Sequence, residues 1–278
     1  MVTEKGQGLP PNRGADPPHI DIKAAQSARV YDFLQGGDEN FSADRNAVKE
    51  ITDRAVGLER SRKQVRAKRM FLGRAVRFLV GEAGIRQFLD VGTGIPSSEN
   101  VHTVAQSASP DCRVVSVDND RTVLAFAHEL RRSTPGGAAA YVDSDLRDTE
   151  HVLSAAAATL DFDLPIAVVF VGVLHHFDDA DDPWAIVRRY VDALPTGSYL
   201  VLEHIGESEE LVKLGEAVKA VEVDTNFTLI PRSRAEVARF FEGLELVEPG
   251  LVSIDDWRPD APAPDVETPN PCGVARKV

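Results

Sequence analysis

The sequence predicts an α/β fold: an open, mostly parallel sheet with helices on both faces, preceded by an N-terminal helical extension. Three observations predict it. From residue 86 onward, short apolar runs alternate with helix-length segments, the order in which right-handed crossovers build a parallel sheet. The runs "QFLDV", "RVVSVD", "AAYVDSD", "IAVVFVGVL" and "SYLVLEHI" are apolar at consecutive positions, as interior strands covered on both sides must be. Before residue 86 the period is helical instead, with Val30, Phe33 and Leu34 in one stretch and Val65, Leu72, Val76 and Leu79 in the next.

Taken in order, residues 1–20 are rich in Pro and Gly and read as a lead-in outside the core. Residues 21–82 form the helical extension, a candidate lid, and residues 83–278 the main domain. Gly36-Gly37 is a helix stop, since glycine readily takes the left-handed conformation that ends helices. Between the strands, helices are expected over 98–108, 121–133, 149–159 and 183–193, the last opened by Asp182-Pro183. Helical stretches near 208–222 and 233–242 lead to "LELVEPGLV", and the final run "GVARKV" pairs at the sheet edge. The stretch "RPDAPAPDVETPNP", 258–271, carries too much proline for helix or central strand and reads as an exposed loop.

Composition narrows the function. A formal charge of -13 over 278 residues repels phosphate backbones and argues against nucleic acid as a partner. The basic run "RSRKQVRAKR" interleaves apolar residues at helical spacing and reads as a solvated helix face. Cys112 and Cys272 fit neither a disulfide framework nor a zinc spacing. No run of about 18 apolar residues suggests a membrane span, and the N-terminus lacks a signal peptide's apolar core. A cytoplasmic protein is the expectation.

The chemistry concentrates at strand ends, where open parallel sheets bind ligands. "FLDVGTGIPSSENVH" puts Asp90, Gly92 and Gly94 at the tip of the first strand. The glycines permit a tight turn and close backbone approach, but Ser97 stands where a dinucleotide fingerprint would carry its third glycine. Asp118 ends the second strand, placed to accept hydrogen bonds from a ribose diol. Asp90 would repel a pyrophosphate and suits a site holding a sulfonium and an ammonium. Asp145, after the third strand, is placed to bind an adenine amino group.

The succession "FLDVGTG", "VVSVDND", "VDSDLRD", "VFVGVLHHF" resembles the Rossmann-like class I S-adenosylmethionine-dependent methyltransferases. Within them it is similar to the S-adenosyl methyltransferase family once catalogued as a domain of unknown function. "ARVYDFLQGGDENFSADR", "DVGTGIPSSENVH" and the closing "GVARK" look like that branch's signatures, over about residues 20–278. The resemblance implies a seven-stranded sheet with an antiparallel final hairpin, and S-adenosyl-L-methionine as cofactor. It implies that Asp90, Gly92, Thr93 and Gly94 surround the methionine portion, Asp118 the ribose and Asp145 the adenine, with Asn119, Leu146 and Gly172 also binding cofactor. It names no acceptor, and a small molecule is the expectation.

Methyl transfer from a sulfonium needs alignment and exclusion of water, and a base only where the acceptor carries a proton. His176 and His175 are the candidate bases, against a purely structural role in the loop. A metal held by His175, Glu203 and His204 is a lesser alternative, and no metal is expected. Tyr31, Gly36, Gly37, Asn40 and Phe41, joined by His204, are candidates for a lid or acceptor site; the bland reading of that segment is a helix pair capping the sheet. The rival functions are a non-catalytic S-adenosylmethionine-binding regulator and an NAD-dependent oxidoreductase.

Overall fold

The computed structural model describes residues 20–97, 99–221, 227–260 and 269–278. The expected lead-in, apart from residue 20, and most of the expected Pro-rich loop lie outside them. Five strands run parallel: β1 (Gln87–Val91), β2 (Arg113–Asp118), β3 (Ala138–Asp143), β4 (Ala167–Val171) and β5 (Tyr199–Glu203). They are followed by β6 (Glu245–Leu246), β7 (Val252–Ser253) and β8 (Pro271–Arg276), in the order β3-β2-β1-β4-β5-β8-β6 with β7 also on β8. β8 is antiparallel to β5 and to both short strands.

The eight strands fill seven lanes. β6 and β7 lie along the same edge of β8, separated by a turn at Glu248–Gly250 where Pro249 has no N–H to give and Gly250 takes φ +90°. The expected seven-stranded sheet with an antiparallel end is thus present, with its outermost lane cut in two.

Consecutive strand residues face opposite layers, which explains the unbroken apolar runs. Phe88, Val114, Val169 and Val201 pack under α3 (Leu58–Gly81) and α4 (Val101–Ala108). Leu89, Val115, Phe170 and Leu202 pack on the other side against α7 (Thr149–Ala156) and α8 (Pro183–Asp192). The helix expected over 121–133 is two short pieces, α5 (Arg121–Ala125) and α6 (Ala127–Leu130), broken at Phe126. α9 (Glu209–Lys219) and α10 (Arg234–Ala238) follow β5.

α3 belongs to the sheet's own core: Trp257 is fully buried edge-on against Phe71 and Phe78, at ring-centroid distances of 5.5 and 5.8 Å. α1 (Ser27–Gln35) and α2 (Ser42–Arg54) pack with α9 in a separate apolar cluster. A buried ion pair joins the first two, Arg29 Nε donating to Asp44 Oδ2 at 2.9 Å, and Asp44 also accepts the Phe41 and Gln26 N–H groups. Gly36 (φ +88°) caps α1, as the glycine pair predicts.

Candidate active site

β1 has β2 on one side and β4 on the other, so strand order reverses between β1 and β4, and a crevice of about 440 Å³ opens beyond their carboxyl ends. Its lining includes every residue expected to hold cofactor, from Asp90 through Gly172, together with Tyr31 and His176.

The glycine loop is stitched to the end of β2. Gly92 and Thr93 N–H both donate to Val117 O, at 2.8 and 3.1 Å, and Gly94 N–H donates to Asp118 Oδ2 at 2.8 Å. Gly92 (φ +77°) has a packing role as well: a Cβ there would stand 2.5 Å from Val173 Cγ2. Gly94 (φ +68°) differs, since a Cβ would meet nothing closer than an Arg69 nitrogen at 3.9 Å, leaving backbone open to a ligand.

The carboxylates are tuned differently. Asp90 is buried and accepts from Thr93 Oγ1 at 2.7 Å; burial pushes it up to about 6 despite Thr93 and the nearby Arg69 guanidinium. Asp118 is likewise pushed up to about 6 by burial, although the Asp120 and Gly94 N–H groups favour its anion. Asp145 is held below the usual range, because Arg147 binds both its oxygens, at 3.0 and 2.7 Å, and also reaches Asp181.

Gly172 (φ +76°) ends β4, and a 3-10 turn over Leu174–His176 follows. A tight turn sends successive side chains in different directions. His176 lines the crevice, its Nδ1 2.6 Å from Thr228 O. A carbonyl only accepts, so Nδ1 carries the proton and Nε2 the lone pair. Burial lowers its pKa to about 4. His175 turns under α1 into an adjoining chamber and does not line the crevice.

Some expected site residues lie elsewhere. His204 is fully buried away from the crevice, with Ile205 O at 2.9 Å from Nδ1 and Arg232 Nη1 at 2.9 Å from Nε2. Asn40 braces the α1–α2 turn through Asp32 and Gly37 O, and Phe41 precedes α2 beneath the Arg29 guanidinium. Gly36 and Gly37 line a neighbouring recess of about 620 Å³. Glu203 accepts from Asn270 Nδ2 at 2.7 Å and Gly172 N–H at 3.1 Å, and pairs with buried Lys68 at 3.4 Å. Among the described residues, His175, Glu203 and His204 are not grouped so that they could hold a metal ion together.

Lys68 and Arg69 are the residues sequence reasoning missed. The basic run is solvated at Lys63 and Arg66 but not at these two. The signal was present: Lys68 lies three residues after Val65 and four before Leu72, on the stripe that those residues bury. Arg69 lines the crevice with its guanidinium 5.5 Å from the centre of the Tyr31 ring, and it makes no hydrogen bond or ion pair among the described residues.

A family profile described as S-adenosyl methyltransferase matches residues 13–278. The chain belongs to the S-adenosyl methyltransferase family. This family member is similar to a DUF574 family protein of Streptomyces avermitilis (41% identity, 94% of this chain and 100% of that one, TM-score 0.86). It is also similar to a candidate methyltransferase of Thermobifida fusca (37% identity, 92% and 96% covered, TM-score 0.82). Magnesium protoporphyrin IX methyltransferase of Synechocystis, solved with S-adenosylhomocysteine, shares the fold at 12% identity, with 90% and 93% covered and TM-score 0.52. No curated protein matches the chain. The S-adenosyl methyltransferase is therefore a Rossmann-like class I enzyme that uses S-adenosyl-L-methionine. Among the described residues, no helix is long and apolar enough to cross a membrane.

Proposed function

We propose that this enzyme methylates a small-molecule acceptor at the β1–β4 crevice, and that the crevice residues divide the cofactor between them. One observation carries the reading: the Asp90 and Asp118 carboxylates, neither of them in an ion pair among the described residues, and the unpaired Arg69 guanidinium line a single crevice of about 440 Å³ at the strand-order switch, within the range of small-molecule sites. That charge set matches an amino-acid sulfonium, which bears a carboxylate, an ammonium and a sulfonium at one end. A pyrophosphate would face Asp90 unfavourably.

Asp118 accepts from the ribose hydroxyls while bracing the loop through Gly94. Asp145, with Asn119 and Leu146, borders the adenine. Asp90 and Thr93 lie on the cationic side, Gly94 gives backbone access, and Arg69 binds the carboxylate. Bound S-adenosylmethionine supplies a methyl group on a sulfonium, so the leaving thioether is neutral and needs no acid. His176, held in one tautomer by Thr228, keeps an Nε2 lone pair for the acceptor's proton. Tyr31 and Arg69 cover the crevice from α1 and α3, which supports exclusion of water.

The acidic charge supports an acceptor other than nucleic acid, and two free, buried cysteines suit the reducing cytoplasm. Calorimetry tests the reading: S-adenosylhomocysteine should bind saturably and NAD should not. Saturable binding of NAD alone would overturn it.

A further inference from the structure

Beside the crevice, under α1, lies a second and smaller chamber of about 100 Å³. Most of its exposed wall is apolar, with Val30 and Leu34 from α1, Val48 and Ile51 from α2, and Leu214 and Val218 from α9, interrupted by Thr52, Ser61 and Gln64. The two spaces are neighbours through Ser27, Tyr31, His176 and Phe227, which line both. Three of those four are aromatic, and His176 stands edge-on to Phe227 at 5.9 Å and 73°.

Of the polar side chains that also line the chamber, Lys68 and His175 are in opposite circumstances. Lys68 is buried, but Glu203 pairs with it at 3.4 Å, so the ammonium is already compensated. His175 is 3% exposed, and its ring makes no hydrogen bond with any described residue; its Nδ1 is wholly buried and unpaired. Leaving a buried polar group unmatched is unfavourable, which makes such a group a marker for a ligand. Burial and the surrounding Lys68, His176, His204 and Arg232 keep this imidazole neutral, its pKa well below the ordinary value.

Resting on the methyltransferase reading, we propose that this chamber anchors the acceptor, a neutral phenol whose hydroxyl hydrogen-bonds the imidazole of His175 while its reacting group extends through the shared mouth to the crevice, where that group bonds the methyl carbon, gives its proton to His176 Nε2 and releases the neutral thioether. At about 100 Å³ the chamber is smaller than the apolar cavity of about 150 Å³ that admits benzene, so a ring seated there extends into the mouth it shares with the crevice. The mostly apolar wall disfavours a charged acceptor, whose desolvation nothing unpaired would offset. A hydroxyl both donates and accepts, so it satisfies the imidazole in either tautomer. The rings of Tyr31, His176 and Phe227 at the shared mouth suit a flat ligand reaching toward the crevice.

The test is a fluorine NMR titration of the full chain with 4-fluorophenol and fluorobenzene, with S-adenosylhomocysteine binding measured by calorimetry on the same samples. Wild type should bind 4-fluorophenol saturably and fluorobenzene about fivefold more weakly, the margin of one net hydrogen bond. Val218→Phe, which fills the chamber from α9, should abolish binding of both. His175→Leu should leave the two probes equal. No saturable 4-fluorophenol binding by protein that binds S-adenosylhomocysteine would overturn the acceptor site and leave the cofactor reading standing. A preference that survives in His175→Leu would overturn the role of the imidazole. Phenol binding without S-adenosylhomocysteine binding would instead sink the cofactor reading, leaving the chamber a phenol site.

Discussion

Replacing Asp118 with Asn separates what this carboxylate costs the fold from what it gives the ligand. Burial pushes its pKa from 3.8 up to about 6, which corresponds to about 3 kcal/mol for holding the charge at neutral pH. The amide removes that cost. In exchange, one side-chain oxygen must replace two that accept the Gly94 and Asp120 N–H groups, at 2.8 and 3.0 Å, a loss of about 1 to 3 kcal/mol. The two effects nearly cancel, so the Tm at pH 7.5 should stay within a few degrees of wild type. The ligand has no such compensation. Ribose hydroxyls that bond a carboxylate in wild type would meet an amide oxygen already engaged by the loop, at a loss of about 1.5 to 3 kcal/mol. Calorimetric Kd for S-adenosylhomocysteine should therefore rise about 10- to 150-fold. The sign of the stability effect can be checked with pH. A raised carboxyl pKa favours the fold below 3.8 and ceases to as pH rises through about 6, so any stabilisation by the amide should be greatest above pH 6 and shrink below it. A Kd within threefold of wild type, in a variant that remains folded, would show that Asp118 holds the loop and not the ribose.

Arg69→Met should weaken S-adenosylhomocysteine binding about 10- to 100-fold through loss of a charge-assisted pair, yet leave 5'-methylthioadenosine, which lacks the carboxylate, unaffected in calorimetry; equal losses for both would contradict that pairing. Affinity for S-adenosylhomocysteine should be flat above pH 7 and decline as pH drops through about 6, where Asp90 and Asp118 take up protons; an affinity unchanged down to pH 5 would exclude both anions from the site. Gly92→Ala should destabilise by about 2 kcal/mol or more, since it combines φ +77° with the 2.5 Å approach to Val173; a thermal melt identical to wild type would contradict that packing.

The five parallel strands were legible because burial on both faces favours short, nearly continuous apolar runs, which their length and the turn signals between them distinguish from helices. The outer lane was not. β6 and β7 are two residues each, and what makes them strands is the neighbouring β8, which local sequence does not reveal. The helix expected over 121–133 failed similarly, since nothing in its periodicity forecast the break at Phe126.

The same distinction divides the site. Asp90, Asp118 and Asp145 could be located because parallel strands end at one edge, so residues far apart in sequence become neighbours once the strands are recognised. Asn40, Phe41 and His204 lie outside the crevice lining, and Asp32, Arg45, Arg29 and Arg232 account for their interactions; neither an aromatic and polar segment nor a place at a strand end reveals such local partners. Arg69 was hidden for a related reason: a cation in an amphipathic helix reads as solvent-facing until the turn that buries it is known. His175 and His176 make the point within two residues. Adjacent and chemically identical, they are given different surroundings by one turn of 3-10 helix: His176, fixed by Thr228, lines both the crevice and the chamber, while His175 lines the chamber alone and is left unpaired. Strand ends thus assign the cofactor side of the site, while the acceptor side depends on how α1, α2 and α9 close over it.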